Sequence, residues 1–133
     1  MLDASAAQER AAALIDRARR AGADAADAIY LADSSESVSV RLGKLEDLER
    51  SESEHVALRV FAGKGSASIG SSDLGDAALD ELAARAVAMA RAAPEDPYAA
   101  LAPEDMLARG PLPALDLSDT GAPSPAELRE LAE

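Results

Sequence analysis

The side chains that could support acid–base or metal chemistry are few and scattered. One histidine is present, His55, and cysteine is absent. A zinc site needs several His, Cys or carboxylate ligands at a suitable spacing. The acids Glu52 and Glu54 lie close to His55, but neighbouring residues on a strand point to opposite faces. We therefore predict that His55 is an ordinary surface or edge residue, and that the chain carries no catalytic, cofactor-binding or metal-binding residue.

Two segments resemble ion-binding or phosphate-binding motifs without meeting their requirements. The acidic side chains between residues 46 and 54 lack the central glycine and the ligand register of a calcium loop. A solvated strand face is the better interpretation. The stretch Gly63-Lys64-Gly65-Ser66 lacks the upstream glycine of a phosphate loop and precedes a strand-like run instead of a helix. It predicts a hairpin turn.

One segment indicates binding. Residues 65–72 form a strand-like run of small side chains bounded by glycines, and small side chains let another backbone approach closely. A strand of this kind at a sheet edge can accept an extended peptide by strand addition. The predicted peptide-contact residues are Gly65, Ser66, Ala67 and Ser68. The alternative is a strand packed tightly beneath the second helix.

The charge of the chain limits its partners. The formal net charge of −12 argues against nucleic acid as a partner, because phosphate binding needs a basic face. A solvated acidic surface is the simpler interpretation, and a docking surface for a basic partner is the alternative. No apolar run approaches the ~18 residues of a membrane span, and nothing resembles a signal peptide. We expect no membrane partner and a cytoplasmic location.

Two helices are predicted from hydrophobic periodicity. Residues 4–21 place alanine, leucine and isoleucine at helical spacing, and Gly22 can terminate this helix with a positive φ. A second helix is predicted over residues 75–92, with Ser72 or Asp73 as its N-cap and Pro94 after its end.

Between the helices the period changes to that of strands. Short alternating runs predict about five strands. These are mostly antiparallel, because the connections are too short for parallel crossovers. Their approximate ranges are 28–32, 37–42, 45–53, 56–61 and 66–71. The predicted fold class is α+β: a mostly antiparallel sheet of about five strands packed with two main helices, followed by an extended C-terminal tail.

The predicted organisation is a domain over residues 1–93 and a Pro/Ala-rich tail over residues 94–133. We expect the tail to lie on the domain surface, anchored by Leu101, Met106, Leu107, Leu112, Leu115 and Leu117. Ser124 and Glu127 form a capping-box pattern with Pro125 at the first helical position. A helix that begins properly near the last residue suggests a longer protein with a downstream domain. A frayed terminal helix is the alternative.

The order of these elements resembles the N-terminal domain of the TldD/PmbA family of bacterial metalloproteases, in which PmbA is also called TldE. The resemblance covers nearly the whole chain. Its pieces, in order, are Gly22–Asp27, Val38–Arg41, Gly43–Glu46, Leu58–Phe61, Gly65–Ser68, Ser72–Leu74, Ala88–Arg91 and Glu95–Ala102. The pattern of Gly65–Ser68 with Ser72–Leu74, and the stretch Glu95–Tyr98, are more similar to the PmbA (TldE) branch than to the TldD branch.

The resemblance implies a role within a larger assembly. Members of the family are several times longer than this chain, and the two branches pair into a heterodimer that degrades or trims peptides. The family is also linked to microcin maturation and to gyrase-directed toxin–antitoxin systems. Zinc is expected in the TldD-type partner subunit, whose HExxxH motif lies beyond the region of resemblance, and not in this chain. The implied function is a non-catalytic module that contributes to the substrate chamber and to subunit contacts.

A competing hypothesis is a stand-alone adaptor domain that binds a protein or peptide and has no role in proteolysis. It predicts a complete monomeric fold that needs nothing beyond residue 133. The capping box at Ser124 is the sequence feature against it.

Overall fold

The computed structural model describes residues 1–111, 113–117 and 121–133. The helices and strands are α1 (Ala4–Arg20), β1 (Ala25–Arg41), β2 (Lys44–Ala62), β3 (Gly65–Ser71), α2 (Asp76–Ala92), a 3-10 turn (Glu104–Met106) and α3 (Pro125–Ala132). The sheet has the order β1-β2-β3, and its strands are antiparallel. The α+β class and the ranges of both main helices are confirmed.

The prediction of five strands is wrong, because three long strands form the sheet. The predicted runs 28–32 and 37–42 are both parts of β1, and 45–53 and 56–61 are both parts of β2. Neither β1 nor β2 contains a glycine or proline that would end it. Pairing through backbone groups therefore continues where the hydrophobic alternation stops.

Two compact units make up the described chain. The first contains residues 1–32 and 53–106, and the second contains residues 33–52 and 107–133. We call residues 33–52 the arm; they are the outer halves of β1 and β2 with the turn between them. In that turn Leu42 and Gly43 both have positive φ, of 51° and 70°, so the turn begins one residue earlier than the break between the predicted strands 37–42 and 45–53.

The core of the first unit forms between the two helices and one face of the sheet. Its largest fully buried side chains are Leu14, Val56, Leu58, Val60 and Leu79. The alanines Ala18, Ala26, Ala83, Ala86 and Ala90 complete the cluster with Leu82. Because so many of these side chains are small, the helices can approach each other and the sheet closely.

An ion-pair cluster joins α1 to α2. The guanidinium of Arg17 donates from Nε to Asp80 at 2.8 Å and from Nη2 to Asp76 at 2.6 Å. Arg10 donates to the carbonyl of Leu74 at 3.1 Å. The arginine stem is largely covered while both carboxylates remain exposed, so solvent screens much of the attraction. The contacts fix which helix faces meet, and the buried side chains supply most of the stability.

The helix ends show how local the sequence signals are. Gly22 follows α1 with a φ of 101°, as predicted, and Asp3 caps the start of that helix by accepting the Ala6 amide. The predicted N-cap of α2 is wrong: Gly75 occupies that position without a side-chain cap. Asp73 instead accepts the Gly75 amide at 2.9 Å, in a short-range turn directly before the helix.

The prediction that residues 94–133 lie on the domain surface, anchored by apolar side chains, is not confirmed. Leu101 is half-buried, whereas the exposed fractions of Met106, Leu107, Leu115 and Leu117 lie between 53% and 84%. Leu112 lies outside the described residues. The capping box is confirmed, because Ser124 accepts the Glu127 amide while Glu127 accepts the Ser124 amide. The predicted boundary at residue 93 remains a prediction.

Candidate functional site

The predicted peptide-contact residues lie at an edge of the sheet. β3 pairs with β2 on one side, from Ala62↔Gly65 to Val56↔Ser71. On its other side no strand follows among residues 1–111, 113–117 and 121–133. β3 carries no charge and no proline, although both are common devices that protect edge strands from pairing. Its outer edge is therefore geometrically suited to accept another extended backbone.

The two faces of β3 have different environments. The sequence analysis offered an open sheet edge and close packing beneath the second helix as alternatives. Gly65 is buried and Ala67 and Ile69 are half-buried towards the helices, while Ser66 and Ser68 are exposed. A Cβ built on Gly65 would lie 2.0 Å from the Ala90 carbonyl oxygen. The strand is thus packed tightly beneath α2 and also lies at an edge.

The hairpin register determines which backbone groups of β3 are available. Gly63 and Lys64 form a two-residue turn, so Ala62 and Gly65, which flank it, exchange hydrogen bonds, and bonded pairs then alternate with non-bonded ones. Ala67 and Ile69 consequently bond to β2. The N–H and C=O groups of three residues point away from β2, towards the free edge: Ser66, Ser68 and Gly70.

The sheet face opposite the helices borders this edge with a shallow depression of about 330 Å³. Its floor and walls come from all three strands and include Asp27, Ile29, Ala57, Arg59 and Ser68. Ile29 is 51% exposed and Leu31, next to the depression along β1, is 44% exposed. Contiguous exposed aliphatic side chains often mark a binding surface. Sequence analysis missed this face, although the alternation of Ile29 with its half-buried neighbours Ala28 and Tyr30 was a usable signal.

An ion pair spans the open face. Arg59 Nε donates to Asp27 Oδ1 at 2.9 Å, with a second contact between Nη2 and Oδ2. The hydrogen bond to the Asp27 carboxylate raises the pKa of the Arg59 guanidinium, with the attraction between the two charges as a further cause. The guanidinium also lies 5.4 Å from the centre of the Phe61 ring, a cation–π distance. Arg59 is held in a fixed position directly across from Ser68.

The remaining titratable candidates do not converge. His55 is exposed, and Glu54 is directed elsewhere because it accepts the Tyr30 hydroxyl at 2.8 Å. The acidic run between residues 46 and 50 is exposed along the arm, as expected for a solvated face. Within the described ranges, no three His, Cys, Asp or Glu side chains are grouped so that they could hold a metal ion.

Comparison with known proteins identifies the segment that contains this site. Residues 26–90 match the family model for PmbA/TldA metallopeptidase domain 1. This segment, just under half of the chain, is therefore similar to the first domain of PmbA/TldD-type proteins. It begins within β1, ends within α2 and contains the whole of β3. The candidate edge therefore lies inside the segment that matches the family model, while the assignment to the PmbA (TldE) branch remains a prediction.

A solved structure shares the fold. The crystal structure of a candidate modulator of DNA gyrase from Bacteroides thetaiotaomicron aligns with a TM-score of 0.78 at 21% sequence identity. The alignment covers 85% of this chain and 25% of that protein, so this chain spans a quarter of the length of its relative. At this identity the likeness establishes the fold alone. No curated protein matches the sequence at a significant level.

The described helices were also compared with the requirements for crossing a bilayer. None of them in residues 1–111, 113–117 and 121–133 has both the length and the apolar composition of a membrane span. The cytoplasmic location remains an expectation.

Proposed function

We propose that this chain is the N-terminal module of a PmbA (TldE)-type subunit in a zinc-dependent, cytoplasmic peptidase complex, and that it holds extended peptides along β3. The match of residues 26–90 to PmbA/TldA metallopeptidase domain 1 is the observation that supports the assembly. The outward backbone groups of Ser66, Ser68 and Gly70 support the peptide-binding role. Substrate trimming in this proposal belongs to a TldD-type partner, which contains the zinc.

The proposal gives this chain a positioning role and no catalytic step. Its described residues do not fit a zinc site, because they bring no suitable group of ligands together. A peptide added to β3 would be recognised through its backbone, because main-chain hydrogen bonds supply the affinity in strand addition. The small side chains at 66, 68 and 70 would leave room for varied peptide side chains. The module would thus present many unfolded sequences to the partner's zinc centre.

The substitution Ser68→Pro tests the peptide-binding edge. Proline removes the outward N–H of residue 68 and places its ring at the edge, but leaves the β2–β3 hydrogen bonds intact because that N–H does not bond to β2. We expect cleavage of an unfolded peptide by the complete two-subunit complex to slow about tenfold, the factor for ~1.4 kcal/mol. Peptide cleavage is measured by mass spectrometry at peptide concentrations below KM.

The matched control is Ser68→Ala, which removes the hydroxyl and keeps the N–H. We expect this variant to cleave at the rate of the unaltered complex, because recognition is assigned to the backbone. Circular dichroism and complex formation should be unchanged in both variants. Equal rates for Ser68→Pro and Ser68→Ala would contradict the strand-addition role while leaving the subunit assignment untouched.

Capture of partners tests the subunit assignment separately. The full-length parent protein, used as bait in lysate of its own cells, should recover a paralogue that carries an HExxxH sequence, identified by mass spectrometry. The reason is that the proposal places the zinc ligands in a TldD-type partner. Recovery of unrelated proteins without such a paralogue would contradict the peptidase complex and favour the adaptor hypothesis.

A further inference from the structure

The flank of α2 that faces away from α1 borders the free edge of β3. The opposite flank carries Asp76 and Asp80, which pair with Arg17 of α1. α1 lies on the β1 side of the sheet, because the amide of Leu2, just before that helix, donates to the Tyr30 hydroxyl at 3.1 Å. α2 itself packs on β3, and the strand order is β1-β2-β3. The outer flank of α2 therefore lies beside the edge that is proposed to bind peptides.

Three side chains form a row along this outer flank. Glu81, Arg85 and Met89 are spaced four residues apart, and each such step turns the side chain about 40° further round the helix. Met89 lies closest to the sheet and is 44% exposed, Arg85 follows it, and Glu81 is turned furthest towards solvent. Within the described part of the chain, the Arg85 guanidinium forms no ion pair and no hydrogen bond. It is therefore a cation beside the edge that can bind a ligand.

One close approach matches positions along α2 to positions along β3. The Ala90 carbonyl lies against Gly65, and α2 begins just after the other end of β3, so the helix runs antiparallel to the strand. Two strand residues span about 6.6 Å, which equals the rise of about four helical residues. Ala67 therefore lies near the level of Arg85. In a peptide strand added to β3, the residue opposite Ala67 points to the same face as Ala67, so its side chain would lie between Arg85 and Met89.

We propose that Arg85 makes the edge selective for extended peptides with an acidic side chain at this position. A glutamate opposite Ala67 would lay its methylene groups on Met89 and accept a hydrogen bond from the Arg85 guanidinium. The inference rests on the proposed binding of peptides along β3 and adds the chemistry of one peptide position. Because the chain has a net charge of −12 and salt screens distant charges, the preference is a contact effect at that position and not a general affinity for acidic peptides.

The substitution Arg85→Glu tests the selectivity. Two unfolded, otherwise uncharged peptides that differ in one central residue, Glu or Lys, compete for the complete two-subunit complex, and mass spectrometry gives the ratio of their kcat/KM values. An exposed ion pair is modest in strength, so attraction replaced by repulsion should lower the Glu-to-Lys ratio about tenfold in Arg85→Glu. Arg85→Lys, which keeps the positive charge, should retain most of the original ratio. Because both peptides meet the same variant, its effects on stability and assembly cancel.

The matched control is Arg20→Glu, the same change of charge at an exposed position of α1, and it should leave the ratio unchanged. Ser68→Pro separates this inference from the proposed function. If Ser68→Pro leaves both peptides cleaved at the unaltered rate, peptides do not bind along β3 and both proposals fail. If Ser68→Pro slows both peptides while Arg85→Glu leaves the ratio unchanged, or changes it no more than Arg20→Glu does, the selectivity of Arg85 is overturned and the peptide edge stands.

Discussion

Replacement of Gly65 with alanine is expected to lower the free energy of unfolding by about 3 kcal/mol, the upper part of the usual range for overpacking. The added Cβ would lie 2.0 Å from the carbonyl oxygen of Ala90. That oxygen belongs to the backbone of α2, so it can move only if the helix shifts away from the sheet. Chemical denaturation followed by far-UV circular dichroism measures the loss.

The control for this prediction is the next residue, Ser66. Its side chain is exposed on the opposite face of β3, so Ser66→Ala should change the free energy of unfolding by no more than ~0.5 kcal/mol. A Gly65→Ala variant as stable as Ser66→Ala would mean that β3 and α2 do not approach each other as described. In that case the packing that fixes the position of the peptide edge would also be wrong.

Truncation of Leu58 to alanine is expected to lower the free energy of unfolding by about 2–5 kcal/mol. Leu58 is fully buried, with 0% of its side chain exposed, and it lies on the central strand beneath both helices. Removal of its branched end leaves a cavity that the surrounding side chains fill incompletely. The measurement is again denaturant unfolding, with the native secondary structure checked beforehand.

A leucine on the same strand provides the control. Leu45 is 45% exposed on the arm, so Leu45→Ala should cost less than about 1 kcal/mol, because truncation there loses part of a contact and creates no closed cavity. Comparable losses for the two variants would contradict the division of β2 between a packed unit and an exposed arm.

The parts of the fold that were predictable are those with local signals. Asp3 and Gly22 mark the ends of α1 by side-chain capping and by positive φ, and Ser124 marks the start of α3. Each signal depends on bonds made within a few residues, so tertiary contacts hardly alter it. The N-cap of α2 was missed because Asp73 caps a turn amide instead of the helix.

The strands were misjudged for a physical reason. The stretch from Asp33 to Ser37 is polar and exposed in β1, and a strand without a buried face has no hydrophobic alternation to detect. Backbone pairing needs no such alternation, so β1 and β2 continue through their polar segments. The sequence therefore showed where the sheet packs against the helices but not how far its strands extend.

The candidate site was predictable in its strand but not in its surroundings. Small residues at 65–68 indicated a close backbone approach, and Gly65 makes one with Ala90. Which side of β3 is free depends on strand order, which no short pattern contains. The pairing of Arg59 with Asp27 joins residues 32 positions apart, and such a contact is set by the register of β1 against β2.

The arm also bears on how such domains can vary in evolution. Arg17 of α1 and Asp76 of α2 are 59 positions apart, and the arm lies within the chain between them. The entropic cost of closing a loop rises only with the logarithm of its length, by about 0.6 kcal/mol for each doubling. Pairs of residues could thus be gained or lost at the arm, two on each strand to preserve the alternation of faces, with little loss of stability in the helices and sheet. The length of the arm can therefore change while the packing of the core stays the same.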